Sequence, residues 1–207
     1  MAGKFITFEG VDGCGKSTQA RRLYENIKSL GTEVILTREP GGSSGAEEIR
    51  KLLVTGEKEK WSAETEILLF TAARRDHIEK IIIPALQLGK TVISDRFFDS
   101  TRVYQGAVRS DLIEIVDQLH ELMIKEKPDF TFIIDTNPKI ALERGLLRDS
   151  GENRFEEFGH SFQQKLRLGF LNLVKQERRR CHLVDGNKNQ EAIAKQILKL
   201  YLNRFND

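Results

Sequence analysis

Cysteine is scarce in this 207-residue chain: Cys14 and Cys181 are the only two, and they form no Cys-x-x-Cys pair. A disulfide framework is thereby excluded, and a reducing compartment fits best. The four histidines, His77, His120, His160 and His182, are scattered, so a structural zinc has no ligand set to occupy. Long apolar runs are missing as well, since no stretch approaches the ~18 residues of a membrane span. Nor is there an excess of charge of one sign. Lys plus Arg number 33 against 31 Asp plus Glu, which provides no basic face for nucleic acid. With four prolines in all and no Pro/Gly/Ser-rich linker or repeat period, one domain over 1–207 is expected. The first strand is expected directly after Met1-Ala2-Gly3-Lys4, leaving no room for a signal peptide. The expectation is a soluble, cytoplasmic protein with no membrane or nucleic-acid partner.

What the chain does carry, near its front, is Gly10-Val11-Asp12-Gly13-Cys14-Gly15-Lys16-Ser17-Thr18. Apolar, β-prone Phe5-Ile6-Thr7-Phe8 precedes it as a buried strand would, and Gln19-Ala20-Arg21-Arg22-Leu23-Tyr24 continues as a helix. In that context the pattern is a Walker A loop. Its glycines let successive backbone N–H groups point inward at phosphate oxygens, and the helix N-terminus adds its positive end. Lys16 is placed to reach the β- and γ-phosphates, and Ser17 to offer its hydroxyl to Mg²⁺. A ligand-free glycine turn does not account for a Gly-Lys-Ser triplet at this spacing.

Further along, Glu33 to Thr37 reads as a second strand stopped by Arg38-Glu39-Pro40-Gly41-Gly42. Helical spacing follows in Ile49, Leu52 and Leu53. A longer helix is expected from an N-cap at Ser62, carrying Ile67, Phe70 and Arg74 and bent or ended by Pro84. Thr91 to Ser94 is the third strand, ending at Asp95-Arg96, and Ser100 to Lys127 is helical with an interruption around Gly106 to Ser110. Phe130 to Asp135 and Cys181 to Val184 are the remaining strands, and Asn137-Pro138, Phe162 to Val174 and Glu191 to Phe205 mark helices. Glycines and polar residues break the apolar stripe from Arg144 to Arg154, a mobile segment by composition. Five strands alternating with helices argue an α/β fold of the P-loop NTPase kind, a five-stranded parallel sheet covered on both faces.

The Walker A loop, Arg38-Glu39-Pro40-Gly41-Gly42, Leu69-Phe70-Thr71-Ala72-Ala73-Arg74, Asp95-Arg96-Phe97 and Tyr104-Gln105-Gly106 occur in this order. In that ordered set the chain resembles the bacterial thymidylate kinases over almost its whole length. The resemblance implies a transferase that moves the γ-phosphoryl group of ATP to dTMP with Mg²⁺, on a five-stranded parallel sheet, in a homodimer. By the same resemblance, Arg50 and Arg96 hold the acceptor phosphate, Phe70 stacks on thymine and Arg74 bonds its carbonyl. Thr101 and Gln105 match base-edge positions. Tyr104 matches the ring that crowds the 2′ carbon, and Asp12 the carboxylate that contacts the 3′-hydroxyl.

Such a reaction asks for positive charge more than for a general base. The acceptor is a phosphate with a second pKa of about 6 and is already an anion near neutral pH. A nucleoside kinase, by contrast, takes a proton from a ribose hydroxyl. The residues leave some assignments open. Arg50 shares its helix with Glu47 and Glu48 and would equally suit a surface ion pair. Asp95 suits water-mediated Mg²⁺ or a helix N-cap, and Phe70, taken alone, a core position. Gly13 stands where some thymidylate kinases carry a catalytic arginine, so that cation is expected from a lid at about 144–155, where Arg144, Arg148 and Arg154 lie. Arg144 is assigned to ATP and Arg148 is favoured as the catalytic one; a solvated helix face with Arg148 paired to Glu152 is the alternative.

Two other functions compete. A kinase for another nucleotide or a deoxynucleoside lacks a reason for the combination of Phe70, Arg74, Thr101, Tyr104 and Gln105. A GTPase-like switch has only Asn187-Lys188-Asn189-Gln190 to offer, and the carboxylate that reads guanine is absent there.

Overall fold

The computed structural model describes residues 3–57, 59–146 and 159–205. Among these, β1 (Lys4–Glu9), β2 (Val34–Arg38), β3 (Thr91–Asp95), β4 (Phe130–Asp135) and β5 (Cys181–Asp185) form one parallel sheet in the order β2-β3-β1-β4-β5. Side chains alternate across β1 because a strand has a period of two. Phe5 packs with Ile78, Ile82, Val92 and Phe97 on one face, while Ile6 and Phe8 join Leu23, Ile27, Phe132 and Phe170 on the other. Both faces of the sheet are therefore buried under helices, as a parallel sheet requires. On the Phe5 face, the Thr7 and Thr131 hydroxyls share a hydrogen bond at 2.8 Å.

The helices are α1 (Lys16–Ser29), α2 (Ser44–Val54), α3 (Ala63–His77), α4 (Ile83–Gln87), α5 (Phe98–Val108), α6 (Leu112–Met123), α7 (Pro138–Leu146), α8 (Gly159–Gln176) and α9 (Gln190–Phe205). The Ser62 hydroxyl accepts from Thr65 N at 3.2 Å, the N-cap read from the sequence. α3 ends at His77 and a π-helical turn over Ile78–Ile82 leads into α4, where Pro84 takes one of the first two positions, so Pro84 does not itself end the helical run. The expected interruption around Gly106 to Ser110 falls at 109–111, with Gly106 still inside α5. Its glycine answers to packing, since a Cβ there would sit 2.6 Å from Ile113 Cγ1.

β1 and β3 are neighbours whose connections leave in opposite directions, one to β2 and the other across β1 to β4. The carboxyl ends of such a pair form the crevice where open α/β sheets bind ligands. Register makes the ends flush: Phe8, Arg38 and Asp95 stand at one level. The Walker loop follows β1, Glu39 to Gly42 follows β2, and Arg96 follows β3.

Candidate active site

Gly10, Gly13 and Gly15 of the loop have φ of 140°, 77° and 101°, the left-handed region that glycine enters without penalty. Gly15 caps α1 without a side-chain bond, and the first turn of that helix carries no acidic residue. Its positive end is thus left for an external anion. Ser17 and Thr18 are exposed on that turn. Lys16 is folded back on its own loop: Nζ donates to Val11 O at 2.9 Å and lies 3.9 Å from Asp12. Cys14 is buried beneath the loop, and burial pushes its thiol up in pKa, so it serves packing.

Asp12 stays charged inside the loop because its neighbours neutralise it. Burial opposes its charge, yet Arg96 and Lys16, with a 2.5 Å hydrogen bond from the Tyr104 hydroxyl, hold the carboxyl down to about 2. Arg96 pairs directly with Asp12. It also donates to Gly10 O at 3.1 Å, Ser100 Oγ at 2.7 Å and the Tyr104 hydroxyl at 3.0 Å, with its guanidinium 5.1 Å from the Tyr104 ring centre. Arg96 adopts φ 70°, rare for a residue with a Cβ. Behind it, Glu9 is fully buried, and its pKa is raised to about 7 by burial and the nearby Asp99, against the pull of Arg96.

At the other end of the crevice Arg74 is held by two partners. Nε donates to Glu39 at 2.7 Å and Nη2 to Thr101 Oγ1 at 3.0 Å, and the guanidinium lies over Phe97. Glu39 in turn faces the buried His77, 3.0 Å from Nδ1, while His77 Nε2 meets Thr37 Oγ1 at 2.7 Å. Burial would raise the Glu39 carboxyl, but Arg74 and His77 together hold it below the usual range. Gly42 is required here, because a Cβ would fall 2.3 Å from His77 Nε2. Phe70 is half-buried rather than in the core. Arg50 donates to Pro40 O at 2.6 Å, and Arg38 pairs with Glu47 at 3.1 Å.

These groups line one cleft of about 570 Å³, which brings together Asp12, Lys16, Ser17, Arg50, Phe70, Arg74, Asp95, Arg96, Thr101 and Tyr104. Gln105 does not reach its wall; it is buried behind, donating to Glu66 at 2.7 Å. Arg144 is exposed on α7, away from this lining. Arg148 and Arg154 lie outside the described residues, as does most of the expected lid. Asp95 is not the N-cap of α5, a position that Phe97 takes, and its Oδ1 is buried with no hydrogen-bond partner among the described residues. Asp95 and Ser17 line the same cleft, and a carboxylate with an unpartnered oxygen together with a hydroxyl fits Mg²⁺, a cation usually held by one or two protein groups plus phosphate oxygens and water. No three His, Cys, Asp or Glu side chains among the described residues are grouped to hold a metal by themselves.

Glu9, Glu39, His77 and Ser100 were not assigned roles from sequence. Glu39 stands within the quoted Arg-Glu-Pro-Gly-Gly run, and Glu9 ends an apolar strand as Asp95 and Asp135 do. That shared position was the available signal.

The family model for thymidylate kinase matches residues 8–197. This chain belongs to the thymidylate kinase family. A thymidylate kinase of Dinoroseobacter shibae is 60% identical over 196 residues, covering 95% of each chain. One from Ruegeria pomeroyi is 53% identical over 204 residues, covering 99% of this chain and 97% of its own. The crystal structure of the thymidylate kinase from Ehrlichia chaffeensis shares the fold at a TM-score of 0.78 and 35% identity, covering 97% and 99% of the two chains. The activity is that of a dTMP kinase, and the other kinase acceptors raised by the sequence are not favoured by these relatives. Among the described residues no helix is long and apolar enough to cross a membrane.

Proposed function

We propose that this thymidylate kinase seats dTMP with its base between Phe70 and Arg74 and its 5′-phosphate on Arg96 and Arg50, and ATP with its phosphates on the Walker loop. What supports this reading is the polarity of the cleft. One end offers a half-buried aromatic and the donor pair Arg74 and Thr101; the other concentrates Lys16, Arg96 and the free end of α1. Thymine carries ring carbonyls that a guanidinium held as Arg74 is can donate to. Two phosphates meeting in line need their charge spread over fixed cations, and guanidinium forks hold phosphate in a defined orientation. Asp12, charged at every working pH, accepts the 3′-hydroxyl, and the Tyr104 ring crowds the 2′ carbon. Ser17 and Asp95 would hold Mg²⁺, which would supply further positive charge to the phosphates.

The acceptor dianion attacks without a proton to lose, so the residues bind, orient and neutralise. Gly13, at φ 77°, leaves the loop without an arginine, and Arg148 is our proposal for the additional cation, with Arg144 on ATP. We also propose one domain acting as a homodimer in the cytoplasm. Exposed Leu68 on α3 and Leu122 on α6 leave apolar surface that association would cover. A coupled ADP-release assay with ATP, Mg²⁺ and each nucleoside monophosphate in turn tests the seating of the base. dTMP turning over fastest and dUMP more slowly is expected, one methyl being worth about 1 to 3 kcal/mol. Faster turnover of dCMP or dGMP would remove Phe70 and Arg74 from base recognition.

A further inference from the structure

Glu9 does not line the cleft, yet it is tied to the turn that presents Arg96. Its Oε1 accepts from Phe97 N at 2.7 Å and from Ser100 N at 3.3 Å, and its Oε2 accepts from Ser100 Oγ at 2.5 Å. Phe97 is the N-cap of α5 and has no side-chain acceptor for the orphan N–H groups of that helix. A carboxylate on the adjacent strand provides it. Ser100 Oγ has one proton; given to Glu9, it leaves lone pairs for Arg96 Nη1, which donates at 2.7 Å. The bonds therefore run in one direction, from Arg96 through Ser100 to Glu9.

The backbone of Arg96 is held from both sides too. Its N–H donates to Phe8 O at 2.9 Å and its C=O accepts from Ser94 Oγ at 2.8 Å. A left-handed conformation at an arginine persists only where its surroundings over-determine it. Four groups from β1, β3 and α5 do so here.

We infer that Glu9 is a positioning residue for the acceptor phosphate: through Ser100 and the first turn of α5 it fixes the Arg96 guanidinium in the orientation that receives a 5′-phosphate. This rests on the reading of Arg96 as a phosphate holder. Glu9 touches no substrate atom. Its effect is confined to ligands that carry a phosphate, and that separates it from a residue that merely stabilises the fold.

The test compares dTMP with thymidine at pH 8, above the phosphate pKa of about 6 and the Glu9 value of about 7. The KM values for dTMP and ATP and the inhibition constant of thymidine are measured for wild type, Glu9→Gln, Ser100→Ala, the double variant and Arg96→Ala. Glu9→Gln keeps the volume and one acceptor but loses the charge. We expect dTMP KM to rise roughly tenfold or more, the loss of one charge-assisted contact, with thymidine inhibition and ATP KM within about twofold. Ser100→Ala, which cuts the link at its middle and keeps the Glu9 carboxyl on the Phe97 and Ser100 N–H groups, should act alike, and the double variant should be little worse than either single one. Should Glu9→Gln fail to fold, Ser100→Ala carries the test alone. An unchanged dTMP KM, or dTMP and thymidine weakened by the same factor, overturns the proposal. If Arg96→Ala itself leaves the preference for dTMP over thymidine intact, the phosphate reading of Arg96 fails and the proposal with it. If Arg96→Ala abolishes the preference while Glu9→Gln and Ser100→Ala do not, only the role of Glu9 fails.

Discussion

Arg74 and Glu39, 35 residues apart in the chain, meet at 2.7 Å with both side chains almost wholly buried. The pair leaves the guanidinium in one plane over Phe97 and turns an otherwise flexible side chain into a fixed donor. Glu39→Ala strands a buried cation, which costs about 3 to 5 kcal/mol. It should lower the denaturation midpoint clearly and, in whatever folds, raise the dTMP KM more than the ATP KM. A midpoint within experimental error of wild type would show that Arg74 does not depend on Glu39.

Lys16→Ala should abolish transfer while leaving the fold intact, because Nζ reaches only groups of its own loop, Val11 O, Asp12 and the Cys14 sulfur, and the loop backbone stays. Turnover near the wild-type rate, with an unchanged circular dichroism spectrum, would remove the Walker lysine from the mechanism.

Tyr104 has two separable parts. Tyr104→Phe deletes the hydroxyl that joins Asp12 to Arg96 but keeps the ring, so it should affect dTMP binding and leave sugar selectivity alone. Tyr104→Ala opens space at the 2′ carbon and should narrow the gap between dTMP and ribothymidylate, with about 3 kcal/mol of stability lost as a cavity. Equal dTMP to ribothymidylate ratios in wild type and Tyr104→Ala would place the gate elsewhere.

His120 is stacked on Phe98 at 4.0 Å with neither ring nitrogen hydrogen-bonded among the described residues. Burial, then the charge of Arg74, depresses its pKa to about 4 from an unfolded value of about 6.5. Between those values the unfolded chain binds the extra proton, so this contribution to stability is present at neutral pH and lost as pH falls from about 6.5 toward 4. His120→Phe removes the titration. Its melting temperature relative to wild type should climb across that window; a difference constant from pH 8 to pH 5 would contradict a buried neutral imidazole.

Arg148→Ala should lower kcat by roughly 10³-fold with a small change in ATP KM, as for a cation that acts mainly in the transition state. Arg144→Ala and Arg154→Ala are its controls, and Arg148→Lys should recover little. If all three alanine variants and their combination stay active, these arginines are a solvated face.

The strands and their order of appearance were legible because buried parallel strands read as short apolar runs, and the Walker loop because its chemistry is local in sequence. Pro84 and Gly106 sit inside helical backbone, and the places where the helices do change are less legible for a related reason. Both are breakers by propensity, and what licenses them, a π-turn upstream and Ile113 across a helix pair, is visible only in three dimensions. The arginines and aromatics of the cleft were found through their ordered motifs. Their anchors were not: Glu9 meets Phe97 and Ser100 across 88 and 91 residues, and Glu39 meets His77 across 38. No periodicity records such pairings. The charge of Asp12 drew attention as a repulsion, and the fold resolves it with Arg96 and Tyr104, residues more than 80 positions away.

The contact between Arg96 and Asp12 also bears on how turnover ends. On the reading of Arg96 as the phosphate holder, an incoming phosphate meets a guanidinium that a resident carboxylate already neutralises, and comes to share it. A departing dTDP leaves it paired with the same carboxylate. Neither passage leaves a bare cation in a low-dielectric cleft, so the empty and filled states differ by an exchange of anions and not by the exposure of a charge. On the same reading, the resident anion tempers affinity for the acceptor and eases product escape, a step that limits turnover in many enzymes.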